Sequence, residues 1–130
     1  MSFRVALPHI VVGLTKGLFL ALTIISGVAT AEAAQLVFVQ TKSCFYCAVF
    51  EKQIGASYEE TRAGSIAPLR RLNPLKKWPK DLSEVPPTHL TPVFIVVDGG
   101  QEVGRFAGYT DPTHFWNKLN QILARADLVP

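Results

Sequence analysis

The run Leu36-Val37-Phe38-Val39-Gln40, followed almost at once by Cys44-Phe45-Tyr46-Cys47, narrows the fold more than any other feature of the chain. Four successive apolar β-formers read as a strand covered on both faces, because a strand with one wet face alternates. Thr41-Lys42-Ser43 makes a short polar turn, and a helical pattern begins near Cys44. Cys47, Phe50, Ile54 and Tyr58 then recur at spacings of three and four, which marks one buried stripe. A doubly covered strand feeding into a helix is the opening of an α/β layer structure.

The rest of the chain extends that pattern. Gly55 weakens the helix near its end, and residues 59–64 read as a further helical turn. Leu69 and Leu72 fit a second strand, while Arg70 and Arg71 leave that assignment open. Residues 73–91 are rich in proline (Pro74, Pro79, Pro86, Pro87) and lysine (Lys76, Lys77, Lys80). They read as a long surface connection with one helical turn, a length that is uncommon in a small domain and often functional. Val93-Phe94-Ile95-Val96-Val97 is a strand, Asp98-Gly99-Gly100 a turn, and residues 102–106 its hairpin partner. Thr110 or Asp111 caps the last helix, with Pro112 in the first turn. Phe115, Leu119, Ile122 and Leu123 form its core face. The order of strand, helix, open element, hairpin and helix predicts a small α/β sandwich.

Residues 1–33 read as an address. Arg4 and Lys16 supply positive charge, an uncharged apolar stretch covers residues 17–29, and two Ala-x-Ala frames follow at 29–31 and 31–33. That is the layout of a secretory signal peptide, leaving residues 34–130 as the domain. The alternative is a transmembrane anchor, since residues 10–14 lengthen the apolar run. Lys16 interrupts it, and the continuous stretch falls short of the roughly 20 residues a span needs. Cleavage is therefore expected, with no stable membrane insertion afterwards. The 48% hydrophobic content is raised by the leader. Without it the net charge is about +2, too mild to imply nucleic acid. Export also places the cysteines where paired thiols tend to become disulfides.

Four readings compete for Cys44-Phe45-Tyr46-Cys47. Haem attachment requires His after the second cysteine, and Ala48 stands there. A structural zinc site needs four ligands, and residues 34–130 offer two cysteines and the isolated His89 and His114. No metal is expected. A purely structural disulfide would close a four-residue loop, with less entropic stabilisation than the ~3 kcal/mol of a 15-residue loop. Redox exchange fits best. A cysteine at a helix start faces unpaired N–H groups and the positive end of the helix dipole, which favour thiolate, and Lys42 adds to this. Cys44 is the expected nucleophile, and Cys47, one turn inward, the resolving thiol.

With these motifs in place, the chain resembles the thioredoxin superfamily across the whole of residues 34–130. The carriers are the strand, Cys44-x-x-Cys47, the helix, Thr91-Pro92 before an apolar strand, the glycine hairpin, Gly108 and the closing helix. The resemblance implies a glutaredoxin-sized α/β domain, a mixed four-stranded sheet flanked by helices, without a cofactor. It implies a cis bond before Pro92, substrate pairing to Thr91, close substrate approach at Gly108, and catalysis by Cys44 and Cys47. Phe45 and Tyr46 flank the sulfurs and are candidate partner contacts. Departures are clear: Ser43 stands where thioredoxins have tryptophan, and Phe45-Tyr46 replaces Gly-Pro. Phe38 stands near the place of their buried acid, so the proton acceptor for Cys47 is unassigned, with Glu51 as a candidate. A glutathione site does not follow for an exported protein.

A narrower resemblance rests on Ala67-Pro68-Leu69-Arg70-Arg71, Trp78-Pro79, Thr91-Pro92-Val93-Phe94 and Gly104-Arg105-Phe106-Ala107-Gly108-Tyr109. These are similar to the SoxS-type periplasmic thioredoxins of bacterial sulfur-oxidation loci. The resemblance implies a periplasmic reductase acting on a disulfide or mixed disulfide of a protein partner. That partner would be a sulfur-carrier protein, and the electrons would come from a membrane thiol transporter. The competing readings are a non-catalytic thioredoxin-like module that binds partners or senses redox state, and an oxidase that introduces disulfides. Trp78 is open between partner docking and packing on the domain. Lys76, Lys77 and Lys80 read as a solvated face and His89 as a surface histidine. Phe115 and Trp116 read as core.

Overall fold

Residues 32–129 are described in this computed structural model; the signal peptide expected over residues 1–33 lies, but for its last two residues, outside them. β1 (Gln35–Val39) is fully buried from Leu36 to Val39 and sits inside a four-stranded sheet of order β2-β1-β3-β4. It runs parallel to β2 (Leu69–Leu72) and antiparallel to β3 (Val93–Asp98), which forms a hairpin with β4 (Gln101–Ala107). The sheet is therefore mixed, as the resemblance implied. Both turn glycines of the hairpin have positive φ (57° at Gly99, 76° at Gly100), the backbone that a two-residue I′ connection demands.

Side chains alternate along β1, and each set meets a different layer. Leu36 and Phe38 join Phe94 and Val96 beneath α1 (Phe45–Phe50) and α3 (Pro112–Arg125), where Phe50, Ile54, Phe115 and Leu119 complete the core. Phe38 lies at the centre of this layer, its ring 4.6 Å from Phe50 and 5.0 Å from Phe94. The stripe of Cys47, Phe50, Ile54 and Tyr58 is buried as its spacing predicts. The helix nevertheless widens into a π-helical stretch over Glu51–Gly55, and Tyr58 stands in a separate 3-10 turn (Tyr58–Glu60). Its hydroxyl donates to the Ala67 carbonyl at 3.0 Å, and burial, then the nearby Glu59, pushes its pKa well above the ordinary tyrosine range. Thr61 caps α2 (Arg62–Ile66), and Asp111, rather than Thr110, caps α3 by accepting the His114 N–H at 2.9 Å.

The other face of β1 corrects a sequence expectation. Residues 73–91 are not a surface connection: they lie across the sheet and bury Leu82 and Val85 against Val37, Val39, Ile95 and Val97. Trp78 packs on the same cluster, and its indole N–H donates to the Leu82 carbonyl at 3.1 Å. The single turn of helix is a 3-10 turn, Lys80–Leu82. An arginine from each edge strand pins this strap. Arg70 of β2 binds Asp81, and its guanidinium holds that carboxyl below the usual carboxylate range. Arg105 of β4 pairs with Glu102 and donates to the Pro86 carbonyl at 2.8 Å. β2 thus tolerates two successive arginines because it is an edge strand whose charges leave the sheet on opposite faces, Arg71 reaching Glu51 on the helix side at 2.5 Å.

If the strap is core, Leu82→Ala removes a fully buried side chain and should cost about 2–5 kcal/mol in denaturant unfolding. A loss within about 0.5 kcal/mol, the range of ordinary surface changes, would show instead that the strap only rests on the sheet.

Candidate active site

Strand register gathers the predicted site residues at one end of the sheet. Val39 lies opposite both Leu72 and Val93, and Val93 opposite Ala107. The last residues of β1, β2 and β4 therefore adjoin the first of β3. From this end emerge the turn to Cys44, the start of the strap, Thr91-Pro92 and Gly108. Residues far apart in sequence meet here because the sheet is mixed.

Cys44 and Cys47 are joined as a disulfide, their Cα atoms 5.2 Å apart. Cys44 is the N-cap of α1, with extended backbone (φ −82°, ψ 107°), and its Sγ accepts the Cys47 backbone N–H at 3.2 Å. A sulfur in this position meets the unsatisfied donors and positive dipole end of the helix, so on reduction it is the one favoured as thiolate. Cys47 lies in the aromatic core layer at 1% exposure, whereas Cys44 is half-buried. The arrangement can carry out thiol–disulfide exchange: an accessible, donor-stabilised sulfur in front and a second, shielded sulfur within bonding reach.

The remaining predicted residues lie at the same end of the sheet. The Thr91–Pro92 peptide bond is cis; Pro92 is buried and Thr91 half-buried. The Pro92 carbonyl accepts the Gly108 N–H at 2.9 Å, while neither backbone group of Thr91 hydrogen-bonds to another described residue. Gly108 has φ 83°, where a side chain is strained, and a Cβ placed there would meet nothing within 4 Å. The space in front of it is open. Tyr109 next to it donates to Gln53 Oε1 at 2.6 Å, tying the end of β4 to the helical layer. Phe45 and Tyr46 are 73% and 58% exposed.

Two residues at this end were not singled out from sequence. Leu75 (80% exposed) follows the end of β2, and Leu90 (68%) stands two residues before Pro92. Like Phe45 and Tyr46, they are exposed apolar side chains on segments that leave this end of the sheet. Their signal in the sequence was an apolar side chain inside a stretch otherwise made of proline, lysine and polar residues. Glu51, the candidate proton acceptor, is instead bound by Arg71 at 2.5 and 2.8 Å and points to the β2 edge. His89 is exposed, Phe115 is core, and Trp116 is half-buried with its ring stacked on Tyr58 at 5.9 Å.

A cavity of about 560 Å³ lies between α2 and α3 and contains no residue of the sulfur end, and another of about 310 Å³ lies beside the Cys44 turn. Among the described residues no three His, Cys, Asp or Glu side chains are grouped as metal ligands would be, and no helix is long and apolar enough to cross a membrane.

A sequence model of the thioredoxin-like domain matches residues 25–123. The chain belongs to the thioredoxin-like family. Among solved structures this thioredoxin-like protein is similar to the periplasmic thioredoxin SoxS from Paracoccus pantotrophus in its reduced form, with 31% identity and a TM-score of 0.68. That match covers 72% of this chain and 98% of the SoxS chain. No curated protein matches the chain.

The difference in burial between the sulfurs is directly measurable. After reduction, brief treatment with iodoacetamide and peptide mapping should label Cys44 roughly tenfold or more faster than Cys47. Equal labelling would contradict the assigned asymmetry.

Proposed function

We propose that this thioredoxin-like protein is a periplasmic thiol–disulfide oxidoreductase that reduces a disulfide or mixed disulfide on a protein partner. The observation that carries the reading is the Cys44 Sγ at the N-cap of α1, accepting the Cys47 N–H. The Cys44 thiolate attacks a partner sulfur, a mixed disulfide forms, and the displaced partner sulfur leaves with its electron pair. Cys47 then attacks Cys44 Sγ, closing the disulfide and releasing the partner as a thiol. Two electrons pass from the protein to the partner. Among the described residues no charged side chain is buried and Glu51 is held by Arg71, so the departing partner thiolate takes the proton of Cys47.

Partner binding in this reading uses what the sulfur end leaves open. The free backbone groups of Thr91 pair with an extended partner segment, Pro92 and Gly108 allow close approach, and Phe45, Tyr46, Leu75 and Leu90 supply apolar contact. The reductase direction is supported by Phe45-Tyr46, which bring neither charge nor histidine between the cysteines; strong oxidants owe their potential to a stabilised reduced form. The export pattern of residues 1–33 and the likeness to a periplasmic thioredoxin support the location. The resemblance to SoxS-type proteins points to a sulfur-carrier protein as the partner and to a membrane thiol transporter as the electron source.

Cys47→Ser tests this. In periplasmic extract the variant should accumulate a partner bound to Cys44 through a bond that dithiothreitol cleaves, and Cys44→Ser should trap none. If neither variant traps a partner, and the wild type fails to reduce a model disulfide, the protein is a binding module rather than an oxidoreductase.

A further inference from the structure

The cavity of about 310 Å³ beside the Cys44 turn is lined by Gln40, Thr41, Lys42, Arg71, Leu72, Asn73 and Lys76. Three cationic side chains and no carboxylate line it. They come from three places: the turn before the cysteines, the edge strand β2, and the first turn of the strap. The Asn73 side chain accepts the Leu75 N–H at 2.9 Å and its carbonyl accepts the Lys76 N–H at 3.1 Å, which fixes the turn that carries Lys76. Arg71 spends Nε and Nη2 on Glu51 and Gly55. Lys42 and Lys76 form no ion pair with any described residue. The cavity therefore has an excess of positive charge. Lys42 is two residues from Cys44, so at most about 7 Å of backbone separates the cavity wall from the reacting residue.

From this we infer that the cavity is an anion subsite of the redox centre, taking a carboxylate that lies close in sequence to the partner's reacting sulfur. The inference rests on the reductase reading and adds the chemistry of the substrate: a thiol or disulfide segment with negative charge on the β2 side of its cysteine. Lys42 and Lys76 bind the carboxylate; Gln40, Thr41 and Asn73 offer it hydrogen bonds. Because both lysines are exposed, the gain is modest, of the size exposed ion pairs give, and it sharpens selection among partners that the exposed apolar side chains alone would accept.

The test uses the reduced full-length protein and mixed disulfides of short peptides with thiopyridine as reporter. Cys44 attacks the peptide sulfur, thiopyridone leaves with the electron pair, and Cys47 closes the protein disulfide while releasing the peptide thiol. Three peptides share a Gly-Cys-Gly core: one ends in amidated Asn, one in amidated Asp, one in Asn with a free terminal carboxylate. We expect at least one anionic peptide to react about three to five times faster than the neutral one; which one does so tells a side-chain from a terminal carboxylate. The ratio should fall to about one in the Lys42→Met/Lys76→Met double variant and in about 1 M salt, where the Debye length is about 3 Å. Lys80→Met removes the same charge outside the cavity and should keep the ratio. A wild-type ratio near one, with the neutral peptide reacting, overturns the subsite and leaves the reductase reading intact. So does an equal loss with Lys80→Met, which would assign the preference to overall charge. No thiopyridone release from any peptide would instead overturn the reductase reading itself.

Discussion

β1 has no face to solvent: Leu36 and Phe38 are closed in by the helical layer, and Val37 and Val39 by the strap. A strand buried on both sides cannot slip by one residue without exchanging its two side-chain sets, so its register is fixed. That register aligns Val39 with Leu72 and Val93, and so decides which loops meet at the sulfur end. The position of Cys44 at the start of α1 follows from where β1 stops. The open backbone of Thr91 follows from where β3 starts.

The aromatic layer gives the redox pair its asymmetry. Phe38 packs edge to face on Phe50 and stacked on Phe94. Cys47 is set into this apolar layer while Cys44 stands at its margin among backbone donors. Burial disfavours charge on the inner sulfur and the helix start favours it on the outer one. The same side chains that fill the core therefore set the two sulfurs in different surroundings.

What could be read from the sequence was what is encoded locally. Consecutive apolar residues in β1, the three-and-four spacing from Cys47 to Tyr58, and the paired glycines of the hairpin each signal one element by themselves. Cys44 and Cys47 stand out for the same reason, as a short motif directly after a strand, whereas Thr91 and Pro92 are marked only by the resemblance to thioredoxins. The strap was misread because Leu82, Val85 and Trp78 follow no period and are outnumbered by proline and lysine. β2 stayed open because its arginines are acceptable only once Asp81 and Glu51 are found beside them. The π-helical stretch leaves the apolar spacing unchanged and so has no signature. Leu75 and Leu90 stand out only through their exposure, a tertiary property.

The strap covers one face of the sheet and runs straight into Thr91-Pro92 at the sulfur end. Its anchors, Asp81 to β2 and the Pro86 carbonyl to β4, lie upstream of Thr91, so the chain leading to Thr91 is held from both edges of the sheet. Direction of electron flow is the central claim, and the reduction potential of the Cys44–Cys47 pair tests it most directly. Equilibration in dithiothreitol redox buffers should give a value near the roughly −270 mV of thioredoxin. A value near about −120 mV, that of a strong disulfide-forming oxidant, would contradict it.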